Sequence, residues 1–336
     1  MAKIGIIGAG TWGTALGILL ESNGHKVTIW SALESEIDML KNTRKHKSLP
    51  DVELPDSIEI SADLESSVKE NDVLVFAVAS SYTRQTAHRM REFIKDGQII
   101  VNVAKGIEDG TLYTLSEVIE DEFKMADVAV LSGPSHAEEV GRRIPTSCVI
   151  GAKSKATAEY LQNIFMNNVF RIYTSPDMLG IEIGAALKNV IALAAGIADG
   201  LCYGDNTKAA LITRGITEIA RLGMEMGGKL QTFSGLSGIG DLIVTCASMH
   251  SRNRRAGILI GQGYSMEEAM KEVNMVVEGV YSAKAALDLA AKYHVEMPII
   301  EQVNLVLFNN KSANEAVKDL MLRDKTIESS ELPWEN

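Results

Sequence analysis

The sequence has little cysteine, no excess of positive charge and no uninterrupted apolar run long enough to cross a membrane. Three cysteines, Cys148, Cys202 and Cys246, stand among 336 residues. They are far apart and odd in number, which argues against a disulfide framework and for reduced thiols in a cytoplasmic protein. No metal-ligand spacing links them to the six histidines, so no metal site is expected. Asp and Glu outnumber Lys and Arg by 44 to 33, a formal net charge of -11. That balance disfavours general nucleic-acid binding and leaves room only for a local basic pocket. The apolar stretch after Lys3 is too short for a secretory signal and leads into a glycine loop. The apolar stretch 190–197 is likewise too short for a bilayer span, so no membrane insertion is expected. No repeat and no long low-complexity segment stands out. What remains is an ordinary globular composition, 46% hydrophobic and 23% charged, on a chain long enough for two domains.

The first half alternates strand and helix patterns. Residues 3–8 form a short apolar run that ends in Gly8-Ala9-Gly10-Thr11-Trp12-Gly13. A helical pattern follows to residue 23 and a second strand covers 26–30, which together make a βαβ unit around G-x-G-x-x-G. In such a unit Gly8 permits the tight turn and Gly10 lets a pyrophosphate reach the backbone. Gly13 lets helix and strand pack closely, and the helix start offers free N–H groups to phosphate. The second strand ends in Trp30-Ser31-Ala32-Leu33, without the Asp or Glu that usually binds the ribose 2′-OH of NAD. Glu34 and Glu36 come late and belong to the next helix. NADP(H) is therefore somewhat favoured, with NAD(H) possible. The basic run 41–47 reads as a solvated helix end, with attraction of a 2′-phosphate as the alternative.

Further strands are expected at 57–61, 73–78, 98–103, 128–131, 145–150 and 169–172, with helices at 64–70, 84–94 and 156–165. Lys105 follows the strand at 98–103, at the carboxyl edge where open α/β sheets bind ligands. Ser135, in Ser132-Gly133-Pro134-Ser135-His136-Ala137, reads as an N-cap for the helix carrying Glu138. His136 is equally open to a packing or a chemical role. The pattern thus predicts an α/β protein, an N-terminal Rossmann-type doubly wound sheet over residues 1–176. An all-helical C-terminal domain covers 177–336, and its tail, 326–336, is polar and loosely held.

Within the helical half, residues 184–206 form a helix with apolar residues all round, broken by one cation, Lys188. At about 100° per residue Lys188 shares its side with Gly184, Ala192 and Ala195. Two readings stand: a core lysine paired with a carboxylate, or a proton donor of lowered pKa. The glycine-rich loop 234–242 ends at Asp241, either an N-cap or a carboxylate that orients a hydroxyl or a lysine. Ser251-Arg252-Asn253 opens a helix and supplies a hydroxyl, free N–H groups and a guanidinium, a combination suited to phosphate.

Several motifs then occur together and in order: GAGTWGTALG, NVAKGIE, SGPSHAEEV, ALKNVIALAAGIADGLCYGDNTKAALITRG, LSGIGDLIVTC, SRNRRAG and VVEGV. On these the chain resembles the bacterial NAD(P)-dependent sn-glycerol-3-phosphate dehydrogenases over nearly its whole length. The resemblance implies reversible reduction of dihydroxyacetone phosphate to sn-glycerol 3-phosphate, feeding glycerophospholipid synthesis, in a homodimer. It implies that Lys188 transfers the proton and that Lys105 touches substrate and cofactor. Gly133, Ser135, Asp241, Ser251, Arg252 and Asn253 would line the substrate site. Thr11, Trp12, Ala137, Arg252, Val276 and Glu278 would meet the cofactor. The positive charge of Lys105 is expected to lower the pKa of Lys188. Two departures are visible. Ala185 replaces a frequent glycine, and Ala32-Leu33 supply no polar group where some members place His or Arg against a 2′-phosphate. The rival readings are another two-domain 3-hydroxyacid or 6-phosphogluconate dehydrogenase and a catalytically silent NADPH-binding sensor. The former usually has Asn four residues after the lysine, where this chain has Ala192.

Overall fold

The computed structural model describes residues 1–325 and 327–328. The tail 326–336 that the sequence marks as polar lies almost wholly outside the described residues. Ten strands form: β1 (Lys3–Ile7), β2 (Lys26–Trp30), β3 (Lys45–His46), β4 (Leu49–Glu53), β5 (Glu59–Ser61), β6 (Val73–Phe76), β7 (Ile99–Asn102), β8 (Asp127–Ser132), β9 (Thr146–Ala152) and β10 (Phe170–Ser175). Interleaved with them are α1 (Thr11–Ser22), α2 (Glu34–Thr43), α3 (Leu64–Lys69), α4 (Thr83–Met90), α5 (Leu115–Glu122), α6 (Ala137–Gly141) and α7 (Lys155–Phe165).

Eight strands make one sheet in the order β10-β9-β8-β7-β6-β1-β2-β5. Pairing is parallel except between β8 and β9. The chain starts at β1, winds outward through β2 to β5, then crosses to β6 and winds out the other way. The switch point therefore lies between the carboxyl ends of β1 and β6, where such sheets open a ligand crevice. Alternate residues feed two cores. Ile4, Ile6, Val73 and Val75 enter one, and Ile7, Leu74 and Phe76 the other. Burial on both faces explains why these strands read as continuous apolar runs. Each such side chain contributes about 1.5–3 kcal/mol.

Two local expectations change. The basic run 41–47 does end α2, but its last residues enter a two-stranded hairpin, β3 with β4. Arg44 turns the chain there at φ 51° and donates to the carbonyl of Ile58 at 3.0 Å. Ser135 does not cap α6. His136 holds the cap position, and the Ser135 hydroxyl donates instead to the Gly133 carbonyl at 3.0 Å.

After β10 the described chain is helical: α8 (Met178–Gly200), α9 (Asp205–Glu225), α10 (Leu230–Phe233), α11 (Asp241–Ala247), α12 (Arg252–Gly261), α13 (Met266–Val273), α14 (Glu278–Tyr293), α15 (Pro298–Phe308) and α16 (Ala313–Met321). The short helices α5, α10 and α11 carry too few apolar repeats to stand out in the sequence. Helix α8 has 23 residues and a mean hydropathy of 1.6 over its most apolar stretch. It is thus long enough for a membrane span, unlike the shorter run 190–197, yet that stretch is wholly enclosed by protein. Its neighbour α12 lies alongside in the same direction. A Cβ on Gly196 would fall 2.9 Å from the Gly257 Cα, and one on Gly200 the same distance from the Gly261 Cα. Glycine at both pairs brings the two backbones together, and this fixes the start of α12 beside the middle of α8.

Candidate active site

The site is built where the carboxyl edge of the sheet meets α8, α11 and α12. On the sheet side, Gly8 has φ 117°, and a Cβ there would sit 2.7 Å from the Ala77 carbonyl just past β6. Gly13 is equally constrained, since its Cβ would strike the Gly8 carbonyl at 2.1 Å. Gly10 is different: a Cβ there would meet nothing within 4 Å. The glycine loop thus presents open space before the N-terminus of α1, which begins at Thr11 and Trp12 without a side-chain cap. Uncapped N–H groups, the positive end of a helix and a vacant approach fit a dinucleotide pyrophosphate. Ala137 opens α6, which packs on α1. Val276 precedes α14, whose first residue is Glu278.

Lys105 follows β7 and reaches across to the helical half. Its Nζ donates to Asp241 Oδ2 at 2.6 Å and to the Gly133 carbonyl at 3.1 Å. Gly133, at φ 144°, sits so close to Cys148 that a Cβ would come within 3.0 Å of the Cys148 Cα. Asp241 is 2% exposed and stands at the first turn of α11. It does not act as an N-cap; that position falls to Gly240. Its other oxygen, Oδ1, lies 3.3 Å from Lys188 Nζ. One carboxylate therefore joins both lysines that the sequence singles out.

Lys188 is 4% exposed on α8. Its Nζ donates to Thr245 Oγ1 at 2.7 Å and to Asn189 Oδ1 at 3.1 Å. The Thr245 hydroxyl in turn donates to the Asp241 carbonyl at 2.6 Å. Burial strips water from the ammonium and pulls its pKa from 10.5 to about 8, Asp241 opposes that, and the charge of Lys105 assists it. The like charge is thus not the leading cause; burial is. The small residues beside Lys188 acquire a purpose here. A Cβ on Gly184 would lie 2.8 Å from the Ser237 carbonyl, so that glycine admits a neighbouring backbone.

At the start of α12, Ser251 is buried and accepts from Arg254 N at 3.2 Å as N-cap. Asn253 donates to Asn189 Oδ1 at 2.9 Å and accepts from Gly279 N at 2.8 Å. A chain of hydrogen bonds thereby runs from Lys188 through Asn189 and Asn253 to the helix start. Between them Arg252 makes no ion pair among the described residues. Burial lowers its pKa from the ordinary arginine value, while Glu278 and Glu138 push it back only through space. An enclosed guanidinium without a paired carboxylate, beside free helix N–H groups, is suited to an anion.

Sequence reasoning missed Thr245 and Asn189, although Thr245 follows Asp241 at helical i+4 spacing. It also missed Glu182 as a tie between the halves, and it gave Glu278 only as a cofactor position. Glu182, on α8 and 4% exposed, accepts from Asn102 Nδ2 at 2.9 Å and Ser116 N at 2.9 Å, and from the Ser116 hydroxyl. Asn102 also accepts from Ala104 N at 3.1 Å, one residue before Lys105. Glu278 accepts from Ser80 N at 3.2 Å and from the Ser80 hydroxyl. Burial raises the pKa of both, and their hydrogen-bond donors counter it. His136 faces the same region. Burial, then the Lys188 charge, lowers its pKa, and its buried Nε2 has no partner among the described residues.

Comparison with known proteins finds relatives over nearly the whole chain. The family model for the NAD-dependent glycerol-3-phosphate dehydrogenase N-terminus matches residues 3–158, and that for the C-terminus matches 177–318. A glycerol-3-phosphate dehydrogenase [NAD(P)+] of Agathobacter rectalis is 65% identical, covering 99% of this chain and 100% of its own. One from Fusobacterium nucleatum is 63% identical over 98% of this chain and 99% of its own. The crystal structure of glycerol-3-phosphate dehydrogenase from Coxiella burnetii superposes with a TM-score of 0.93 at 36% identity, covering 96% of this chain and 99% of that one. The chain belongs to the NAD-dependent glycerol-3-phosphate dehydrogenase family.

Proposed function

We propose that Lys188 and Lys105 carry the reversible reduction of dihydroxyacetone phosphate to sn-glycerol 3-phosphate, with residues 1–176 holding the dinucleotide and the helical half holding the substrate. The protein is an NAD(P)-dependent oxidoreductase acting on a CH–OH group. When bound, the nicotinamide supplies the hydride to C2 in one direction and takes it back in the other. The glycine loop and α1 would hold the pyrophosphate, with Thr11, Trp12, Ala137, Val276 and Glu278 around the cofactor.

The shared carboxylate carries this reading. Two ammonium groups meet one Asp241, so the cluster holds one unit of positive charge in excess when both are protonated. Reduction at C2 places negative charge on the substrate oxygen, and preorganised positive charge lowers the energy of that change. Lys105 polarises the C2 oxygen while Lys188 delivers the proton, and in oxidation neutral Lys188 accepts it from the hydroxyl. A pKa near 8 suits both directions. Asp241 and Thr245 hold the Lys188 ammonium at the reacting oxygen. Arg252, the N–H groups at the start of α12 and Ser251 take the phosphate. That binding energy fixes the orientation of C2. Gly133, Ser135 and Asn253 complete the wall of the substrate pocket.

The test is to follow NADH and NADPH oxidation with dihydroxyacetone phosphate and, as a control, with a 3-keto acid. Turnover with the phosphate ester alone is expected; turnover only with the keto acid would contradict the assignment. Family membership also supports a homodimer in the cytoplasm. Sedimentation at twice the chain mass is the expected result for the assembly.

A further inference from the structure

The end of β2 is not as free of negative charge as Trp30-Ser31-Ala32-Leu33 suggests. Glu36 does belong to α2, but it lies in the first turn of that helix, where its side chain folds back over the strand end. The buried Ser31 hydroxyl donates to Glu36 Oε2 at 2.6 Å and accepts from Leu33 N at 3.1 Å. Ser31 directly follows Trp30, whose carbonyl accepts from Gly8 N at 2.9 Å. The Glu36 carboxylate is therefore pinned at the carboxyl edge of β2, on the strand next to the glycine loop. An acid in that position receives the ribose 2′-OH of a dinucleotide.

The surroundings leave this charge unbalanced. Among the described residues no Lys or Arg forms an ion pair with Glu36, and Ser31 is its one hydrogen-bond donor, leaving Oε1 free. Arg44 is committed to the Pro55 and Ile58 carbonyls and to Asp56. Arg89 lies over the Trp30 ring, 5.4 Å from its centre. Ala32 and Leu33, both exposed, offer no cation. Nearby, burial lowers the pKa of His46, Glu36 pushes it up, Lys47 down and Glu138 up.

We propose that Glu36, held by Ser31, makes this enzyme selective for NAD(H) over NADP(H). The proposal rests on the assignment of the glycine-loop crevice as the dinucleotide site. The free Oε1 accepts the ribose 2′-OH in a charge-assisted hydrogen bond. A 2′-phosphate carries about −1.5 to −2 charges at neutral pH and meets the same carboxylate as a repulsive neighbour. Repulsion between partly screened charges weakens with ionic strength, so the preference shrinks in high salt.

The test uses the protein without substrate and reads binding rather than turnover. Dissociation constants for NADH and NADPH are measured by fluorescence titration, and those for 5′-AMP and 2′,5′-ADP by calorimetry. Wild type is expected to bind NADH about tenfold or more tightly than NADPH, with AMP ahead of 2′,5′-ADP. Glu36→Gln removes the charge at constant size and is expected to strengthen NADPH at least about fivefold, with NADH changed less. Ser31→Ala, which only releases the carboxylate from its anchor, is expected to narrow the ratio partway. NADPH binding as tightly as NADH in wild type would overturn the proposal. An unchanged ratio in Glu36→Gln, with Lys47→Ala alone weakening NADPH, would assign the corner to Lys47 and overturn it too. If neither dinucleotide binds any of these proteins, the crevice assignment itself fails, and the proposal fails with it.

Discussion

Lys105 and Lys188 grip the two oxygens of one aspartate from opposite halves of the molecule, yet their surroundings differ. The Lys105 side chain keeps 19% of its surface open, whereas that of Lys188 keeps 5%. Lys105 hangs from a loop at the sheet edge and is tied down by a backbone carbonyl. Lys188 is set within a helix whose neighbours approach through glycine, so it is almost wholly removed from water. In the proposed reaction one carboxylate and two identical side chains thereby divide the labour of polarising an oxygen and moving a proton. The division is set by burial rather than by residue type. The same contrast runs through the halves around them. On the sheet side the functional atoms are backbone N–H groups and the space that glycine leaves open. On the helical side they are charged and amide side chains held in a continuous network.

The largest effect should come from deleting the buried member of the pair. Lys188→Ala is expected to lower kcat by about 10²–10⁴-fold while the dissociation constant for NADH stays within about twofold, since the glycine loop proposed to hold the pyrophosphate is on the sheet half. Steady-state kinetics with a fluorescence titration separate the two. A variant that keeps more than a few per cent of wild-type turnover would remove Lys188 from its role. Next comes the unpaired cation of the helical side. Arg252→Ala should cut kcat/KM for dihydroxyacetone phosphate by about 10–150-fold, the value of hydrogen bonds to a charged group. Unphosphorylated dihydroxyacetone should lose little, and an equal loss with both would contradict the phosphate assignment.

A smaller effect is expected where the halves are tied together. Glu182→Leu strands the donors of Asn102 and Ser116 and should cost about 1–3 kcal/mol of stability, a few degrees in Tm for a chain of this size. Because Asn102 holds the residue before Lys105, kcat should fall more than the affinity for NADH. Glu182→Gln can still accept both N–H groups and should recover most of both losses. Equal behaviour of the two variants would sever the link between Glu182 and Lys105.

These contrasts also explain what the sequence could and could not reveal. The sheet half was legible because its chemistry is local. Gly8, Gly10 and Gly13 stand within six residues, and β6 beside them is wholly apolar. The two lysines, Asp241 and the start of α12 were identified by motif, yet nothing in their spacing says that one carboxylate serves both cations. That meeting depends on how α8 and α11 pack on the end of β7, an arrangement of segments whose contacts span 57 to 136 residues of chain. Glu182 was invisible for the same reason, and Glu278 was identified by motif as a cofactor position but not as the partner of Ser80. Glu36 shows a subtler limit. Its assignment to a helix was correct, but the first turn of that helix points back at the strand it follows. The enclosed helix was legible from its all-round apolar pattern, but its bounds were not: the sequence reading runs it over 184–206, and the fold over Met178–Gly200.

The central claim, that Lys188 titrates low because it is buried and moves the proton, is tested most directly by the pH dependence of turnover in the two directions. The folded-state pKa of Lys188 is drawn down to about 8 from 10.5, and its neutral form is the base. Oxidation of sn-glycerol 3-phosphate should therefore rise with a single limb centred near pH 8, and reduction of dihydroxyacetone phosphate should fall through the same midpoint. Lys105→Gln removes a like charge and should move the midpoint upward in whatever activity remains. A flat oxidation profile between pH 7 and 9.5, or a midpoint that Lys105→Gln leaves in place or lowers, would contradict the account.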